Sequence, residues 1–457
     1  METVDRKHTI NKIALYTVIA LSFLIMFLMG GYGVTRDSEA FLSLNIYREP
    51  LYSLLATGFK ALFGADRFCF YLAMFQNALA MLSTIILVRK FDELVWKDEL
   101  SIWLCGIICI VPYLMTPIFS RTHLVISNMV MQEALTMPLY YFFMSAVLGI
   151  IYDERARRRY ILMSMIICLL LVLTRGQMNI IIIGHGILLF AVFMLKKDIK
   201  GIMMSAAVVV ILFLMASLTV KTYNLLTSGV FRSSTSGNST FLSNVIYVSE
   251  HKDGDGIEDG DLKLLFDKLY KALDENELLY DYAGDSPIEK AEYYEKCHDT
   301  INFDYFEPIK NEVYDNRMGT TYTDYLIYQD EIAGSLIKEL LPNCLDRWTV
   351  NYLCACMLGF IRTVAINHKL LRIYTAIIYF VYAGAVCIGI KKYGLSNNLV
   401  FALFVLMMIV GFTCGTTLFI MCISRYVIYN LPFFYISLYM MIKDIFLSKQ
   451  DKIGQNQ

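Results

Sequence analysis

The sequence predicts an all-α polytopic membrane protein of about ten transmembrane helices carrying a mostly helical extracytoplasmic insert. Three observations carry that prediction. Apolar stretches close to bilayer-spanning length recur ten times, basic residues cluster in alternate connections, and one long segment, residues 222–349, breaks the hydropathy. The composition agrees: 57% of residues are hydrophobic and mean hydropathy is +0.52. Soluble domains sit near 45–50% apolar.

A helix crosses a hydrocarbon core of roughly 30 Å with about 20 apolar residues. Ten stretches are candidates: 13–30, 68–88, 100–119, 130–151, 160–174, 178–195, 202–220, 371–390, 398–420 and 426–444. The fifth is the shortest. No small-residue cleavage site follows the first, so it is read as a retained helix rather than a signal peptide. Orientation follows from Arg6, Lys7 and Lys12, then Arg89, Lys90 and Lys97, the arginines 155 and 157–159, Lys196, Lys197 and Lys200, Lys391 and Lys392, and Lys443, Lys449 and Lys452. If ten spans alternate, all of these fall on one side, which the positive-inside rule makes cytoplasmic. Both termini are then cytoplasmic, and the chain belongs in a cell membrane as a multi-pass protein. An eleventh crossing over Trp348–Ile366 would invert the later lysines, so that stretch, with its Arg362, reads as a helix at the outer surface.

The organisation expected is an N-terminal transmembrane module (1–221) with a first outer loop over 30–67, a soluble insert (222–349), and an outer-surface helix followed by C-terminal spans (350–457). The insert holds 25 acidic against 11 basic residues and is solvated. Leu262, Leu265, Phe266, Leu269, Tyr270 and Leu273 recur at helical spacing. Ser286-Pro287-Ile288-Glu289 is a capping box that opens a second helix. A third runs from Thr323 to Leu340 and stops before Pro342. Eleven cysteines are scattered, mostly in apolar spans; Cys297 and Cys344 share the insert and could pair.

Net charge is −1, which argues against nucleic acid as a partner. Near mid-bilayer the only titratable side chain is His185, read as a packed, hydrogen-bonded histidine. Ion-coupled carriers place charged groups there, so chemistry is expected at the outer interface. Asp37 and Glu39 stand there in the first outer loop, with Arg48 nine residues further on. Arg121, His123 and Glu133, Arg175, and Arg425-Tyr426 occupy later outer positions.

Asp37-Ser38-Glu39, followed by Tyr47-Arg48-Glu49-Pro50-Leu51-Tyr52 and Leu62-Phe63-Gly64, resembles the first outer loop of GT-C glycosyltransferases. The likeness is to the branch with protein O-mannosyltransferases and bacterial lipid A aminoarabinose transferases. Ser127–Tyr152 with Glu133, Leu173-Thr174-Arg175, Ile337–Pro342, and Ser424-Arg425-Tyr426 with Leu431-Pro432 resemble later family features in the same order. The resemblance covers nearly the whole chain except 222–330. It implies an inverting enzyme that moves a sugar from a polyprenyl-phosphate donor to an extracytoplasmic glycan, lipid or protein. Asp37 is the expected general base and Glu39 the second choice. Arg48, Arg121, Arg175, Arg425 and Tyr426 are expected at the donor phosphate, with Tyr52, His123 and Glu133 in acceptor or structural support.

Structural readings compete. Asp37 could cap a helix starting at Ser38, Arg175 and Arg425 could anchor span ends, and Glu133 could pair with Arg121 or His123. The acidic run Asp253, Asp255, Asp259 and Asp261 resembles a calcium loop, although His251 stands where its first acid belongs. An acidic, glycine-rich turn is the alternative. No cofactor is required by the sequence, and a divalent cation stays open. Asn238-Ser239-Thr240 fits a glycosylation sequon. Rival functions are a polymerase or ligase of lipid-linked oligosaccharides, a transporter, and a non-catalytic membrane scaffold.

Overall fold

The computed structural model describes residues 2–119, 123–235, 237–314, 321–366 and 368–454. Among them, α-helices carry the architecture, and β-pairing is confined to one isolated bridge between Gly33 and Met129. The first half comprises α1 (Glu2–Met29), α2 (Arg36–Leu42), α3 (Pro50–Phe63), α4 (Phe68–Leu94), α5 (Glu99–Phe119), α6 (Glu133–Tyr152), α7 (Arg157–Thr174), α8 (Asn179–Leu195) and α9 (Ile199–Ser228). The insert follows with α10 (Gly237–Val248), α11 (Gly260–Glu275), α12 (Pro287–Asp299), α13 (Glu307–Val313) and α14 (Tyr322–Leu340). Then come α15 (Leu345–Val364), α16 (Lys369–Tyr393), α17 (Asn397–Phe419) and α18 (Leu431–Gly454).

Eight of the described helices are long and apolar enough to cross a membrane: α1, α4, α5, α6, α8, α9, α16 and α17. The fifth and tenth expected spans also form helices but fall short of that standard. Helix α7 opens on Arg157, Arg158 and Arg159, leaving a short uncharged run. Helix α18 starts at Leu431, because residues 424–426 and 428–430 are tight 3₁₀ turns. It meets Lys443 and Asp444 twelve residues later, and its last turns lie outside the described side chains.

Two ends of the bundle are distinguishable by their polar links. At one end Lys12 pairs with Asp92 at 2.6 Å, Asn398 donates to Asp444 at 2.7 Å, and Lys196 and Lys443 reach Glu154 and Asp98. The insert sits at the other end. Helix α6 runs through the middle, almost wholly buried, against α4 and α7. Its buried Tyr140 donates to Asn430 at 2.8 Å, and Tyr141 donates to the Cys109 carbonyl at 2.8 Å. His185 is bonded to Ser164 at 2.9 Å through Nε2, as expected of a packed histidine.

Helix α9 is the longest, at 30 residues. Asp198 caps its start by accepting from the Gly201 amide at 3.1 Å, and Gly229, at φ 74°, takes the left-handed conformation that ends it. It therefore runs past residue 221, the expected module boundary, before the insert begins. The insert has its own apolar core of Leu242, Val245, Leu265, Phe266, Leu269 and Leu336, reaching Trp348 of α15 and Met421. The capping box at Ser286 is present, with the Glu289 amide donating to Ser286 Oγ at 3.3 Å. Cys297 and Cys344 are separate buried thiols, so the pairing entertained from sequence is absent. Buried Arg362 of α15 pairs with Glu295 of α12, which clamps the insert to the helix that leads back to the bundle.

Candidate active site

Local sequence explains how the segments at the insert end of the bundle meet. Two adjacent amides in α4, Gln76 and Asn77, are buried in an otherwise apolar helix. Gln76 Nε2 donates to the carbonyls of Ser127 and Met129 at 2.9 and 3.0 Å, and Asn77 Nδ2 donates to Asn128 Oδ1 at 2.6 Å. Asn128 Nδ2 in turn donates to the Met26 and Gly31 carbonyls at 2.8 and 2.6 Å. The segment before α6 is thereby tied to the end of α1. The Gly33–Met129 bridge and a Ser38 Oγ donation to the Val130 carbonyl at 2.8 Å extend the link to α2. Helix α2 begins at Arg36 with Thr35 at its cap, so the expected cap role of Asp37 does not arise. Tyr52, fully buried, donates to Gln76 Oε1 at 2.9 Å and packs edge-on against Phe41 at 5.1 Å. It is a pillar of this junction.

Above it lies a cavity of about 140 Å³. Arg48, Glu133, Arg175, Arg425 and Tyr426, from four separate stretches of chain, all line it. Glu133, 2% exposed, accepts from Arg175 Nη1 at 2.9 Å, and Arg425 Nε lies 3.8 Å from the same oxygen. The Tyr426 ring lies between the two arginines, 4.1 Å from the Arg175 guanidinium carbon and 5.1 Å from that of Arg425. Arg48 rests on Phe41 and Tyr47 at 4.9 and 5.0 Å. Gln177 braces the turn after α7 by donating to the Tyr426 carbonyl and to Tyr429 Oη, both at 2.9 Å. The second carboxylate oxygen of Glu133, Oε2, is buried with no hydrogen-bond partner among the described residues.

Several expected residues stand elsewhere. The partner of Glu133 is Arg175, not His123, which is exposed at φ 54° with Nδ1 3.1 Å from the Pro117 carbonyl. Arg121 and the side chain of Asp37 lie outside the described residues. Glu39 is exposed. Two of the four acids of the calcium-like run serve structural tasks. Asp253 is 3% exposed and bound by Arg347, while Asp259 caps α11, accepting from the amides of Asp261 and Leu262 at 2.9 and 3.0 Å. Asp255 is exposed. Among the described residues no three His, Cys, Asp or Glu side chains converge as metal ligands. The sequon residue Asn238 is held in place, donating to Asp330 through its backbone at 3.0 Å and its side chain at 3.1 Å.

Sequence reasoning missed the roof. Thr240, His298, Asp299, Asn302 and Phe303 of the insert line the same cavity. Nothing in their spacing announces it: Thr240 comes from α10, His298 and Asp299 close α12, and Asn302 and Phe303 sit in Thr300–Phe306, a π-helix that shifts the register helical periodicity assumes. It also missed Glu49, inside the quoted motif. Glu49 Oε1 accepts from Ser234 Oγ at 3.1 Å beside Gly176, and burial pushes its carboxyl up to about 7.

No protein-family model matches the chain, and neither does any curated protein sequence. Among solved structures it is similar to the oligosaccharyltransferase AglB from Archaeoglobus fulgidus, solved in complex with an inhibitory peptide and a dolichol-phosphate. That match has a TM-score of 0.44 and 10% identity, and covers 97% of this chain and 51% of the other. The chain thus spans about half the length of the archaeal enzyme. It is also similar to ArnT from Cupriavidus metallidurans bound to undecaprenyl phosphate, with a TM-score of 0.33, 12% identity, and 92% and 77% coverage. Both are membrane glycosyltransferases of the GT-C superfamily.

Proposed function

We propose that the cavity binds a polyprenyl-phosphate-linked sugar at the extracytoplasmic end of the bundle and transfers that sugar to an acceptor hydroxyl with inversion. The observation that carries this reading is the convergence of Arg48, Arg175 and Arg425 on one cavity around a single buried carboxylate, Glu133. Three guanidiniums against two lining carboxylates, Glu133 and the half-exposed Asp299, leave an excess of positive charge in a partly desolvated site. Such a site favours a phosphate both when bound and when leaving as an anion.

In the displacement, the acceptor oxygen forms a bond to the anomeric carbon as the bond from that carbon to the phosphate oxygen breaks. The acceptor proton passes to a carboxylate, and the arginines neutralise the departing phosphate. A leaving group that departs as an anion needs no second acid, which separates this chemistry from the two-carboxylate hydrolases. Asp37 is our choice of base. What supports it is the position of α2, whose Ser38 is tied to Val130, three residues before Glu133. Glu133 acts through the arginines, holding Arg175 and Arg425 over Tyr426.

The test is sugar transfer from labelled polyprenyl-phosphate sugars by the purified full chain, comparing wild type with Arg425→Ala and Asp37→Asn. Transfer that falls at least tenfold in each variant, with all proteins equally monodisperse, supports both assignments. Undiminished transfer in Asp37→Asn would move the base elsewhere, and undiminished transfer in Arg425→Ala would refute the phosphate assignment.

A further inference from the structure

The cavity has two chemically different halves. The arginine half comes from the helix ends of the bundle, and the facing half comes from the insert. Of the insert residues, His298 and Asn302 are each 3% exposed. His298 is bonded through Nδ1 to Tyr294 Oη at 2.9 Å, and burial holds its ring neutral, pushed down to about 4. Asn302 Oδ1 is buried with no hydrogen-bond partner among the described residues. A buried orphan acceptor costs about 1–3 kcal/mol, and natural proteins carry few of them. The π-helical turn that presents Asn302 is of a kind that recurs at functional sites.

We propose that the insert half is a subsite for the sugar ring of the lipid-linked donor, with Asn302 and His298 as its specificity-determining residues. This rests on the reading of the arginine half as a phosphate site. An amide and a neutral imidazole both donate and accept, as sugar hydroxyls do, and Phe303 offers the apolar surface a ring can lie on. At about 140 Å³ the cavity is smaller than the roughly 300 Å³ at which drug-sized pockets begin, so it suits one ring rather than an oligosaccharide. An acceptor glycan carries the same hydroxyls. The donor is favoured because it alone brings a phosphate and a ring in one molecule, matching both halves at once. A site built to bond hydroxyls also discriminates strongly against rings that lack one.

The experiment measures binding to the full chain in nanodiscs of undecaprenyl phosphate, bare and carrying a hexose, an N-acetylhexosamine or a pentose. Wild type is expected to bind one sugared lipid at least tenfold tighter than the bare lipid phosphate. Asn302→Ala and the near-isosteric, uncharged Asn302→Leu are expected to lose that difference while binding the bare lipid as wild type does. Variants that are monodisperse yet keep the sugar preference would overturn the proposal. So would variants that bind donors normally but raise KM for the acceptor, which would assign the subsite to the acceptor. A wild type that binds no undecaprenyl phosphate at all would instead sink the phosphate reading, and this inference with it.

Discussion

Replacing Arg175 with alanine leaves Glu133 in a place where an ionised carboxylate is costly. The Glu133 side chain is 2% exposed and that of Arg175 11%, and the 2.9 Å contact between them is charge-assisted. Removing one member of such a buried pair costs about 3–5 kcal/mol, because the survivor stays buried and uncompensated. Arg425, at 3.8 Å from the same oxygen, offsets part of that, so the loss belongs at the lower end, about 3 kcal/mol. Glu133→Gln keeps an acceptor for Arg175 but leaves that nearly buried cation without its compensating carboxylate, so this variant too is expected to lose about 3 kcal/mol. The double variant has no buried charge left unpaired at that position. It should therefore be more stable than Arg175→Ala alone by on the order of 2 kcal/mol. The assay is thermal unfolding of the detergent-solubilised full chain for all four members of the cycle. Strictly additive effects, or an Arg175→Ala protein that melts like wild type, would refute the pairing as the element that positions the arginines.

Other outcomes follow from single contacts. Glu49 is held protonated by burial, its carboxyl raised from an ordinary value of 4.5 to about 7. The stability it contributes is full below about 4.5 and lost as pH rises through 7, so Glu49→Gln should melt higher than wild type at pH 8, by up to about 3 kcal/mol, and alike at pH 4; indistinguishable melting at pH 8 contradicts this. Adding calcium or EDTA should leave the melting temperature unchanged, since Asp253 and Asp259 already serve Arg347 and the start of α11; a rise of several degrees with calcium would restore the cation-loop reading. Asn238→Ala should destabilise the insert by about 1–3 kcal/mol by stripping donors from buried Asp330, read as faster limited proteolysis between α10 and α14. Proteolysis unchanged from wild type would count against that role.

The membrane helices were legible because hydropathy is a one-dimensional property of the chain. The helices over 260–275, 287–299 and 322–340 were legible because caps and apolar spacing are local. The convergence of Arg48, Glu133, Arg175, Arg425 and Tyr426 was accessible only as an ordered set of motifs, since no spacing rule brings residues so far apart in sequence together. Two signals were present but unweighed. Gln76 and Asn77 are adjacent amides in an apolar span, where a buried amide must find partners, and these two hold the segments before α2 and α6 together. Glu49 stood inside the quoted motif, yet its burial depends on Ser234, in the chain that returns after α9. Asn302 was out of reach, because a π-helical turn changes which residues share a face. The limits of α18 were misjudged for a related reason: residues 426–430 were read into the span 426–444 but belong to two 3₁₀ turns over 424–430, one of which presents Arg425 and Tyr426.

Helix α9 has a consequence for the lipid the protein inhabits. Its uncharged part, Gly201–Val220, is 20 residues, or about 30 Å at 1.5 Å per residue, matching a hydrocarbon thickness of roughly 30 Å. The eight residues from Lys221 to Ser228 add about 12 Å of stiff post before the chain turns at Gly229. The insert, and with it the roof of the cavity, thus stands at a height set by protein. A lipid phosphate stands at a height set by the bilayer, which differs by a few ångströms between membranes. Transfer measured in bilayers of graded acyl length should therefore pass through an optimum, and a flat response would show that the post bends or tilts to follow its surroundings.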